Sequence, residues 1–219
     1  MRFSIIMPSL LADYPGSATG RDKKLIRAIQ SVLDQSFTDF ELIVISDGCK
    51  LTEYIVKRKY TEIEVLAAST SINTCNLKFI DERLKLLSVP RKQLFSNVPR
   101  NTGIENAKGE YIIYLDADDY FGKDHLKKID AELSGFDWVY FNDRVWNGTE
   151  WIERSTDCTQ YGRCGTSNIC HKASLNLRWI EAGYGHDYYF IQQLLKFPNH
   201  KQISTGEYHV CHYSNGYCV

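Results

Sequence analysis

The chain has 219 residues, enough for one domain that buries roughly 70% of the surface its unfolded form would expose, whereas two full domains would be cramped. The 26 Lys and Arg residues nearly balance the 27 Asp and Glu residues, which argues against nucleic-acid binding and against an electrostatic membrane anchor as the main function. The seven cysteines are odd in number and contain no C-x-x-C pair, so we expect reduced, buried thiols in a cytosolic protein rather than a disulfide framework or a zinc site.

The first half of the chain alternates short apolar runs with an amphipathic segment. Residues 3–8 and 40–46 form the short β-branched runs that are typical of strands buried on both faces. Between them, residues 22–35 carry apolar side chains at helical spacing, which predicts a helix. Pro8 interrupts the first run early, which favours a strand over a signal peptide. The next predicted elements are a helix over 51–59, a strand over 84–89, a helix over 102–107 and a strand over 110–115, and the stretch 60–83 gives no clear assignment.

The second half changes character after a few more alternating elements. A helix over 123–133 and a strand over 137–142 complete the alternating part. Pieces rich in Trp, Tyr and Gly, with antiparallel character, come next, and then a helix over 186–197 and a last strand near 203–212. No run approaches the ~18 apolar residues of a membrane-spanning helix. The sequence therefore predicts an α/β sheet with a mixed C-terminal half, in one compact unit.

Three carboxylates follow the apolar run YIIYL within four residues: Asp116, Asp118 and Asp119. On a strand, residues i and i+2 face the same side about 7 Å apart, so Asp116 and Asp118 project together while Ala117 turns away. Like charges this close repel, and open α/β sheets bind ligands beyond the carboxyl ends of their strands. The cluster favours a hard cation such as Mg²⁺ or Mn²⁺. The alternative is that Asp118 or Asp119 merely caps the helix near residue 123.

The aspartate cluster ends a longer motif. The run RNTGIENAKGEYIIYLDADD resembles the DXD segment of GT-A type glycosyltransferases, and of family 2 in particular. Upstream, FSIIMPS and AIQSVLDQSFTDFELIVISDG are similar to the first strand, first helix and second strand of that family. The residues of the longer run that fall in place are Arg100, Asn101, Gly103, Ala107, Gly109, Tyr111, Ile112, Leu115, Asp116, Asp118 and Asp119.

The resemblance implies a fold and an activity. It implies a single GT-A domain over 1–219, Rossmann-like, with a mixed, mostly parallel central sheet, a nucleotide-sugar-binding half (1–120) and an acceptor-binding half (121–219). It implies a metal-dependent, inverting glycosyltransferase that uses Mn²⁺ or Mg²⁺. The donor would be a nucleoside-diphosphate sugar, and the acceptor a hydroxyl group of a glycan or another molecule. The generic expectation from the family is polysaccharide or glycan assembly in the cytoplasm, with peripheral association at the inner face of a membrane left open.

The resemblance also assigns roles on the donor side. Asp47, which ends the second strand, would hydrogen-bond the nucleotide base, and Arg100 would contact the base or its phosphates. Asp118 would be the direct metal ligand, with Asp116 assisting. A turn aspartate and a surface arginine are the alternatives for Asp47 and Arg100. The remaining predicted donor-binding residues are Pro8, Ser9, Asp116 and Ala117.

Two departures from the family pattern bear on the donor. The family often reads P-x-Y-N where this chain has Leu10 and Leu11 after Pro8 and Ser9, so the aromatic side chain that would stack on the base is missing. Ser46 replaces the first aspartate of the usual D-D-G-S. We therefore derive no preference for the donor base.

The second half carries the candidate base. The segment GYGHDYYFIQQLL resembles the family's G-E-D segment, whose aspartate at the start of a helix is the general base, and Asp187 occupies that position. His186 stands where the family has glutamate. The alternative is that Asp187 only caps the helix. Gly162 and Gly165 lie in a loop that looks like the one lining the acceptor side in the family, where glycine allows close backbone approach.

A histidine near the C-terminus is a further candidate. The segment EYHVCHYSNG is similar to the family's terminal segment, in which a histidine contacts the metal or the diphosphate. His212 fits that register better than His209, whose strand position turns it the other way. Either residue could be an ordinary strand histidine.

Two other functions share this layout. A sugar-nucleotide nucleotidyltransferase would have the same metal aspartates, but its phosphate loop would have to be LLADYPGSATGRDKK, which lacks closely spaced glycines. A catalytically degenerate nucleotide-binding module would keep the fold without turnover, and Leu10, Ser46 and His186 favour that alternative. The resemblance favours an active glycosyltransferase over both.

Overall fold

The computed structural model of the protein describes residues 1–12, 17, 19–65, 75–92, 95–181 and 183–211. Numbered in chain order, the strands are β1 (Phe3–Ser9), β2 (Phe40–Asp47), β3 (Thr61–Val65), β4 (Cys75–Phe79), β5 (Leu84–Val89), β6 (Tyr111–Tyr114), β7 (Tyr120–Phe121), β8 (Trp138–Trp146), β9 (Trp151–Arg154), β10 (Ile169–Lys172) and β11 (His200–Val210). The α-helices are α1 (Arg21–Leu33), α2 (Lys50–Tyr60), α3 (Asn97–Asn106), α4 (His125–Glu132) and α5 (His186–Leu194).

Nine of the described strands form one mixed sheet, in the order β5–β2–β1–β6–β10–β8–β11–β7, with β9 paired to β8. Strands β5, β2, β1 and β6 are parallel neighbours, whereas β10 is antiparallel to both β6 and β8. Strand β11 runs parallel to β8 and antiparallel to β7. Strands β3 and β4 form a separate antiparallel pair in the stretch that had no clear assignment from the sequence. The predicted α/β fold with a mixed sheet is confirmed.

Helices pack on both faces of the sheet. Buried residues of α1, α2 and α4 join one apolar cluster, and buried residues of α3 and α5 join another. Because successive strand side chains point to opposite faces, β1 sends Ile5 and Met7 into the first cluster and Ile6 into the second. This burial on both faces explains why the first strand reads as an unbroken apolar run.

Most predicted elements are present, with shifted ends. The clearest difference is α3, which begins at Asn97 rather than at residue 102 as predicted. Pro99 lies in its first turn, where a missing backbone N–H removes no helical hydrogen bond. Strand β8 likewise continues past residue 142 to Trp146, because it pairs there with β9. None of the described helices combines the length and the apolar character needed to cross a membrane.

The cysteines match the prediction in part. Cys49, Cys158, Cys164 and Cys170 are free and buried, so the expectation of reduced, buried thiols is confirmed for these four. It is wrong for Cys211, which is disulfide-bonded. Cys211 directly follows β11, and no C-x-x-C pair in the sequence signalled its bond.

Two glycines of the long motif let α3 and the turn after it approach β1 closely. A Cβ added at Gly109 would lie 2.4 Å from the Ser4 nitrogen and 2.5 Å from the Phe3 carbonyl carbon, well inside contact distance. A Cβ added at Gly103 would lie 2.6 Å from Cγ2 of Ile6. The chain therefore crosses the backbone of β1 just before it enters β6, and glycine is required where it crosses.

We expect Gly109→Ala to lower the free energy of unfolding by about 3 kcal/mol, because the new Cβ meets backbone atoms that have no room to move. Urea denaturation measures the loss. Gly135→Ala is the matched control, since Gly135 has φ 85° and an added Cβ there has no atom within 4 Å. Backbone strain alone then costs about 1 kcal/mol. Equal losses in the two variants would contradict the close approach of the turn to β1.

Candidate active site

Polar residues of several elements meet at the carboxyl edge of the parallel strands. Ser9 is the last residue of β1, Asp47 is the last residue of β2, and Asp116 follows closely after β6. Because β1, β2 and β6 are parallel, their carboxyl ends lie at one edge of the sheet. Arg100 of α3 and Asp187 of α5 line a cavity together with Asp116. The candidate site is this cavity and the strand ends beside it.

Arg100 links α3 to the aspartate cluster. Its Nη2 donates a hydrogen bond to Oδ1 of Asp116 at 3.3 Å, and its Nη1 donates one to the carbonyl oxygen of Phe95 at 3.0 Å. The guanidinium carbon lies 4.7 Å from the ring centre of Trp179, in a cation–π arrangement. The side chain of Arg100 is 6% exposed and that of Asp116 is 39% exposed. A buried positive charge thus lies beside an aspartate that solvent still reaches.

Asp116 and Asp118 carry the chemistry expected of metal ligands. Partial desolvation of the carboxylate raises the pKa of Asp116, the charge of Arg100 opposes that rise, and the charges of Asp118 and Asp187 add to it. Their carboxylate oxygens are the hard ligands that Mg²⁺ and Mn²⁺ prefer. Within the described ranges, no group of three or more His, Cys, Asp or Glu side chains is arranged to hold a metal ion. Among the described residues that line the cavity, Asp116 is present, whereas Asp118 is 9% exposed and lies outside the lining.

Helix α1 brings two cationic side chains beside Asp118. Nη2 of Arg27 donates a hydrogen bond to the backbone carbonyl oxygen of Asp118 at 2.9 Å. Nζ of Lys24 donates one to the carbonyl oxygen of Cys211 at 2.8 Å. Burial lowers the pKa of Lys24, and the charge of Asp118 opposes that change. Part of the negative charge of the cluster is therefore balanced within the protein.

Both carboxylate oxygens of Asp119 are bonded inside the protein. Oδ2 accepts a hydrogen bond from the hydroxyl of Tyr208 at 2.8 Å, and Oδ1 accepts one from the backbone N–H of Cys211 at 2.6 Å. Burial and two neighbouring carboxylates raise the pKa of Asp119 well above its ordinary value. The suggestion that Asp119 caps the next helix is wrong, because Asp124 is the residue before α4 and that helix start has no side-chain cap. Asp119 instead fastens the cluster to the end of β11.

Tyr208 is a site residue that the sequence did not indicate. Its hydroxyl donates to Asp119 and accepts a hydrogen bond from the backbone N–H of Asp116 at 3.1 Å. One buried oxygen thus ties together the first and last members of the aspartate cluster. The alternation of the last strand signals a buried tyrosine, but nothing in the sequence links it to a segment 89 positions away.

Asp187 lies in the first turn of α5, where two neighbours contact one of its oxygens. Oδ1 accepts a hydrogen bond from the hydroxyl of Thr166 and lies 3.2 Å from Nε2 of His186. Burial raises the pKa of Asp187, but these two contacts and the charge of Arg100 outweigh it and hold the pKa below its ordinary value. The alternative that Asp187 caps α5 is wrong, because Gly185 precedes the helix and its start has no side-chain cap. Asp187 is ionised at neutral pH, as a general base must be.

The cavity between Asp116 and Asp187 has a volume of about 530 Å³, a size suited to a small ligand. Gly165, in the loop predicted to line the acceptor side, faces Asp187: a Cβ added there would lie 3.5 Å from Oδ2. The structure therefore brings Arg100, Asp116 and Asp187 together. The other lining residues are Arg154, Ser155, Tyr161, Gly162, Arg163, Cys164, Gly165, Thr166, Ser167, Asn168, Tyr184, Gly185, His186 and Tyr188.

Asp47 is buried with part of its polar surface unsatisfied. Its residue is 5% exposed, and its Oδ1 has no hydrogen-bond partner among the described residues. Burial raises the pKa of Asp47, and the charge of Arg91 opposes that rise. A buried carboxylate oxygen without a donor costs free energy, so Asp47 suits a ligand that brings a hydrogen-bond donor to this edge.

The structure places Pro8, Ser9 and Ala117 near the same edge, outside the lining of the cavity. The hydroxyl of Ser9 shares a hydrogen bond with that of Thr52 at 2.9 Å. Pro8 pairs with Ile45 in the β1–β2 register, and Ala117 is buried. The side chain of Ser9 therefore holds α2 to the end of β1.

Of the two C-terminal histidines, His212 lies outside the described residues. His209 stacks on Tyr120, with ring centres 4.4 Å apart and planes within 2°. Its ring also meets the ring of Trp151 edge-on at 4.7 Å. His209 thus belongs to an aromatic cluster on the last strands.

Sequence comparison identifies relatives of the chain. The model of the family described as glycosyl transferase family 2 matches residues 4–175. An uncharacterized glycosyltransferase of Haemophilus influenzae is 38% identical over 125 residues, which cover 57% of this chain and 39% of the relative. WfgD of Escherichia coli, named a UDP-Glc:α-D-GlcNAc-diphosphoundecaprenol β-1,3-glucosyltransferase, is 26% identical over 217 residues, which cover 93% of this chain and 73% of WfgD.

Solved structures share the fold. Staphylococcus aureus TarS, in complex with UDP, superposes with a TM-score of 0.67 at 17% identity, over 96% of this chain and 60% of that one. The mannosyltransferase PcManGT of Pyrobaculum calidifontis, in complex with GDP-Man and Mn²⁺, gives a TM-score of 0.64 at 12% identity, over 96% and 56%. The chain thus spans less than two thirds of both structures and of the Haemophilus relative. The likeness confirms the predicted GT-A architecture.

We expect Tyr208→Phe to lower the free energy of unfolding by about 2–3 kcal/mol, because the N–H of Asp116 and the carboxylate of Asp119 both lose a buried partner. Thermal or urea unfolding measures the loss. Tyr111→Phe is the control, since its hydroxyl donates a hydrogen bond to the carbonyl oxygen of Phe136 at 3.0 Å, away from the cluster, and its loss costs about 1 kcal/mol. A Tyr208→Phe loss no larger than that of the control would refute the bridging role.

Proposed function

The chain belongs to glycosyl transferase family 2 and is a glycosyltransferase, and from this premise we propose the reaction that its site performs. A sugar moves from a nucleoside-diphosphate sugar to a hydroxyl group of a glycan or another acceptor, with a divalent cation and with inversion at the anomeric carbon. The observation that carries the proposal is the cavity in which the Arg100–Asp116 pair faces Asp187. The Arg100–Asp116 side of the cavity suits a diphosphate, and the Asp187 side suits a hydroxyl group.

On the donor side, Arg100 binds the nucleoside diphosphate. Its guanidinium lines the cavity beside Asp116. Guanidinium groups bind phosphate oxygens through paired N–H donors. Asp47, with its unpartnered Oδ1, accepts a hydrogen bond from the nucleotide base. Complexes of TarS with UDP and of PcManGT with GDP-Man support a nucleotide donor of this class. Pro8, Ser9 and Ala117 stay predicted donor-binding residues at the same edge.

Asp118, with Asp116 assisting, holds Mn²⁺ or Mg²⁺ in this proposal. Such a cation neutralises the charge that develops on a leaving diphosphate. The two aspartates follow β6 at the edge where the diphosphate would lie, and the Mn²⁺ of the PcManGT complex supports the choice of metal. His212 stays a predicted further ligand, outside the described residues.

On the acceptor side, Asp187 is the general base. Its carboxylate takes the proton of the acceptor hydroxyl while that oxygen attacks the anomeric carbon, and the bond from this carbon to the diphosphate oxygen breaks as the new bond forms. A single displacement of this kind inverts the anomeric carbon. The division of the chain follows: residues 1–120 bind the donor, and residues 121–219 supply the base and bind the acceptor.

Metal-dependent nucleotide binding tests the donor side. With UDP or GDP at about 100 times its dissociation constant and Mn²⁺ present, we expect about 2.7 kcal/mol of added stability, read as a rise in Tm. Omitting Mn²⁺ or introducing Asp118→Ala removes the rise. The control is Asp39→Ala, because that side chain is 63% exposed and lies away from the site. Stabilisation that is equal with and without metal would contradict the assignment of Asp118.

Turnover tests the base. We expect Asp187→Asn to lower the release of nucleoside diphosphate from a nucleotide sugar by about 10²- to 10⁴-fold, the usual contribution of a general base, while the metal-dependent rise in Tm persists. Asp39→Asn, an exchange of the same kind at a side chain that is 63% exposed, is the matched control. Undiminished turnover in Asp187→Asn would exclude it as the base. Pyrophosphate as the product would indicate a nucleotidyltransferase instead.

A further inference from the structure

Three tyrosines line the side of the cavity that holds Asp187. Tyr161 lies in the loop before β10, Tyr184 lies in the turn before α5, and Tyr188 directly follows Asp187 in α5. Tyr161 is 61% exposed and Tyr184 is 85% exposed. Scattered exposed rings are ordinary on a protein surface, whereas rings grouped at one cavity indicate a contact surface for a ligand.

The turn that carries Tyr161 is closed by its own hydrogen bonds. Oδ1 of Asp157 accepts hydrogen bonds from the backbone N–H of Thr159 at 2.9 Å and from its hydroxyl at 2.6 Å. Oδ2 of Asp157 accepts one from Nε2 of Gln160 at 2.7 Å. The backbone N–H of Asp157 donates to the carbonyl oxygen of Arg163 at 3.1 Å, which closes the turn around Tyr161. A formed turn therefore presents this ring to solvent.

The ring of the turn packs against a ring of α5. The ring centres of Tyr161 and Tyr188 lie 5.2 Å apart, with planes at 60°. A Cβ added at Gly185 would lie 3.5 Å from the hydroxyl oxygen of Tyr161 and 3.3 Å from Cε2 of Tyr189, so both of these rings pack over the start of α5. Two separate segments thus form one aromatic surface beside Asp187.

The segment that carries Tyr161 also supplies a partner of the candidate base. The hydroxyl of Thr166 donates a hydrogen bond to Oδ1 of Asp187. Two positions further on, Nδ2 of the buried Asn168 donates to the carbonyl oxygen of Phe141 at 3.1 Å, which ties the segment to β8. The tyrosine surface and the base are therefore held in place by the same segment.

The chemistry of these side chains matches a sugar ring. A pyranose presents apolar C–H groups on its faces and hydroxyl groups around its edge. Tyrosine offers the matching pair, an apolar ring face and a polar hydroxyl. The hydroxyls of Tyr161, Tyr184 and Tyr188 make no hydrogen bond to another described residue, so they are available to a ligand. An alkyl chain would use the rings but not the hydroxyl groups.

We propose that Tyr161, Tyr184 and Tyr188 form a subsite for a sugar ring of the acceptor, so that the acceptor is a glycan rather than a simple alcohol. The proposal rests on the proposed function, in which Asp187 takes the proton of the acceptor hydroxyl. A sugar stacked on this surface lies beside Asp187, where one of its hydroxyl groups reaches the base. Stacking also restricts the orientation of the acceptor, which favours attack from a single hydroxyl group.

The first test measures sugar binding by the full chain without any donor. Saturation-transfer NMR, with irradiation of the aromatic protons of the protein, shows which ligand protons lie against the rings. The probes are the methyl pyranosides of glucose, galactose, mannose and N-acetylglucosamine at millimolar concentration, with hexanol as the alkyl probe. We expect saturation of the ring C–H protons of at least one pyranoside. Saturation of no pyranoside, or of hexanol alone, overturns the proposal, and the second result indicates an apolar partner instead.

Variants assign the binding to the tyrosines. Tyr161→Ala and Tyr184→Ala should each raise the dissociation constant of that pyranoside about 5- to 10-fold, because each removes a ring contact, whereas Tyr161→Phe keeps it within about twofold. Tyr54→Ala is the matched control and should bind like the wild type, since Tyr54 is 56% exposed on α2 and lies outside the lining of the cavity. Thermal unfolding checks that each variant is folded. Unchanged binding in Tyr161→Ala and Tyr184→Ala contradicts the subsite.

The second test separates the subsite from the proposed function. With UDP-GlcNAc or GDP-Man, Mn²⁺ and the bound pyranoside as acceptor, we expect Tyr161→Ala to raise KM for the pyranoside about 10-fold and to leave KM for the donor within about twofold. A rise in KM for the donor alone would overturn the placement on the acceptor side. If the wild type uses neither donor, the proposed function fails, and the NMR measurements alone then decide whether the tyrosines bind a sugar.

Discussion

Mutual repulsion of carboxylates at one edge of the sheet is the constraint on which the site depends. Asp116, Asp118 and Asp119 follow β6, and Asp187 faces them across the cavity. The protein offsets their charge in different ways: Asp119 is bonded to β11, Asp116 lies against Arg100, and Asp187 is bonded from the loop before β10. The charges of Asp116 and Asp118 still raise the pKa of the buried Asp119, and a divalent cation, as proposed, would relieve this crowding.

The two residues that depart from the family pattern, Ser46 and His186, both make polar contacts in the structure. Ser46, in place of an aspartate, donates from its hydroxyl to the carbonyl oxygen of Cys49 at 3.0 Å and accepts from the N–H of the same residue at 3.0 Å. It thereby shapes the turn between β2 and α2, next to Asp47. His186, in place of a glutamate, contacts the candidate base. Asp116 and Asp187 both still line the cavity despite these two changes. Their presence favours an active enzyme over a degenerate module.

Local patterns in the sequence predicted much of this. Apolar runs predicted the strands. The strand alternation assumed for Asp116 and Asp118 is wrong, because β6 ends at Tyr114 and residues 116–119 form a turn in which the N–H of Asp119 donates to the carbonyl oxygen of Asp116 at 3.1 Å. Contacts between distant segments gave no such signal: the bond from Tyr208 to Asp119 spans 89 positions, and the stacking of Phe95 on His186 depends on a strained turn. The start of α3 was missed because its cap residue makes no side-chain hydrogen bond, so the usual capping signal is absent there.

The most direct test of the account is a crystal structure of the full chain with UDP and Mn²⁺, and in parallel with GDP and Mn²⁺, in which anomalous scattering locates the metal. The account predicts manganese bound to the carboxylate of Asp118 and to oxygens of the diphosphate, with the guanidinium of Arg100 on the phosphates and Oδ2 of Asp187 facing the open part of the cavity. A diphosphate bound at this edge with no metal at Asp118, or a metal held elsewhere on the chain, would contradict it.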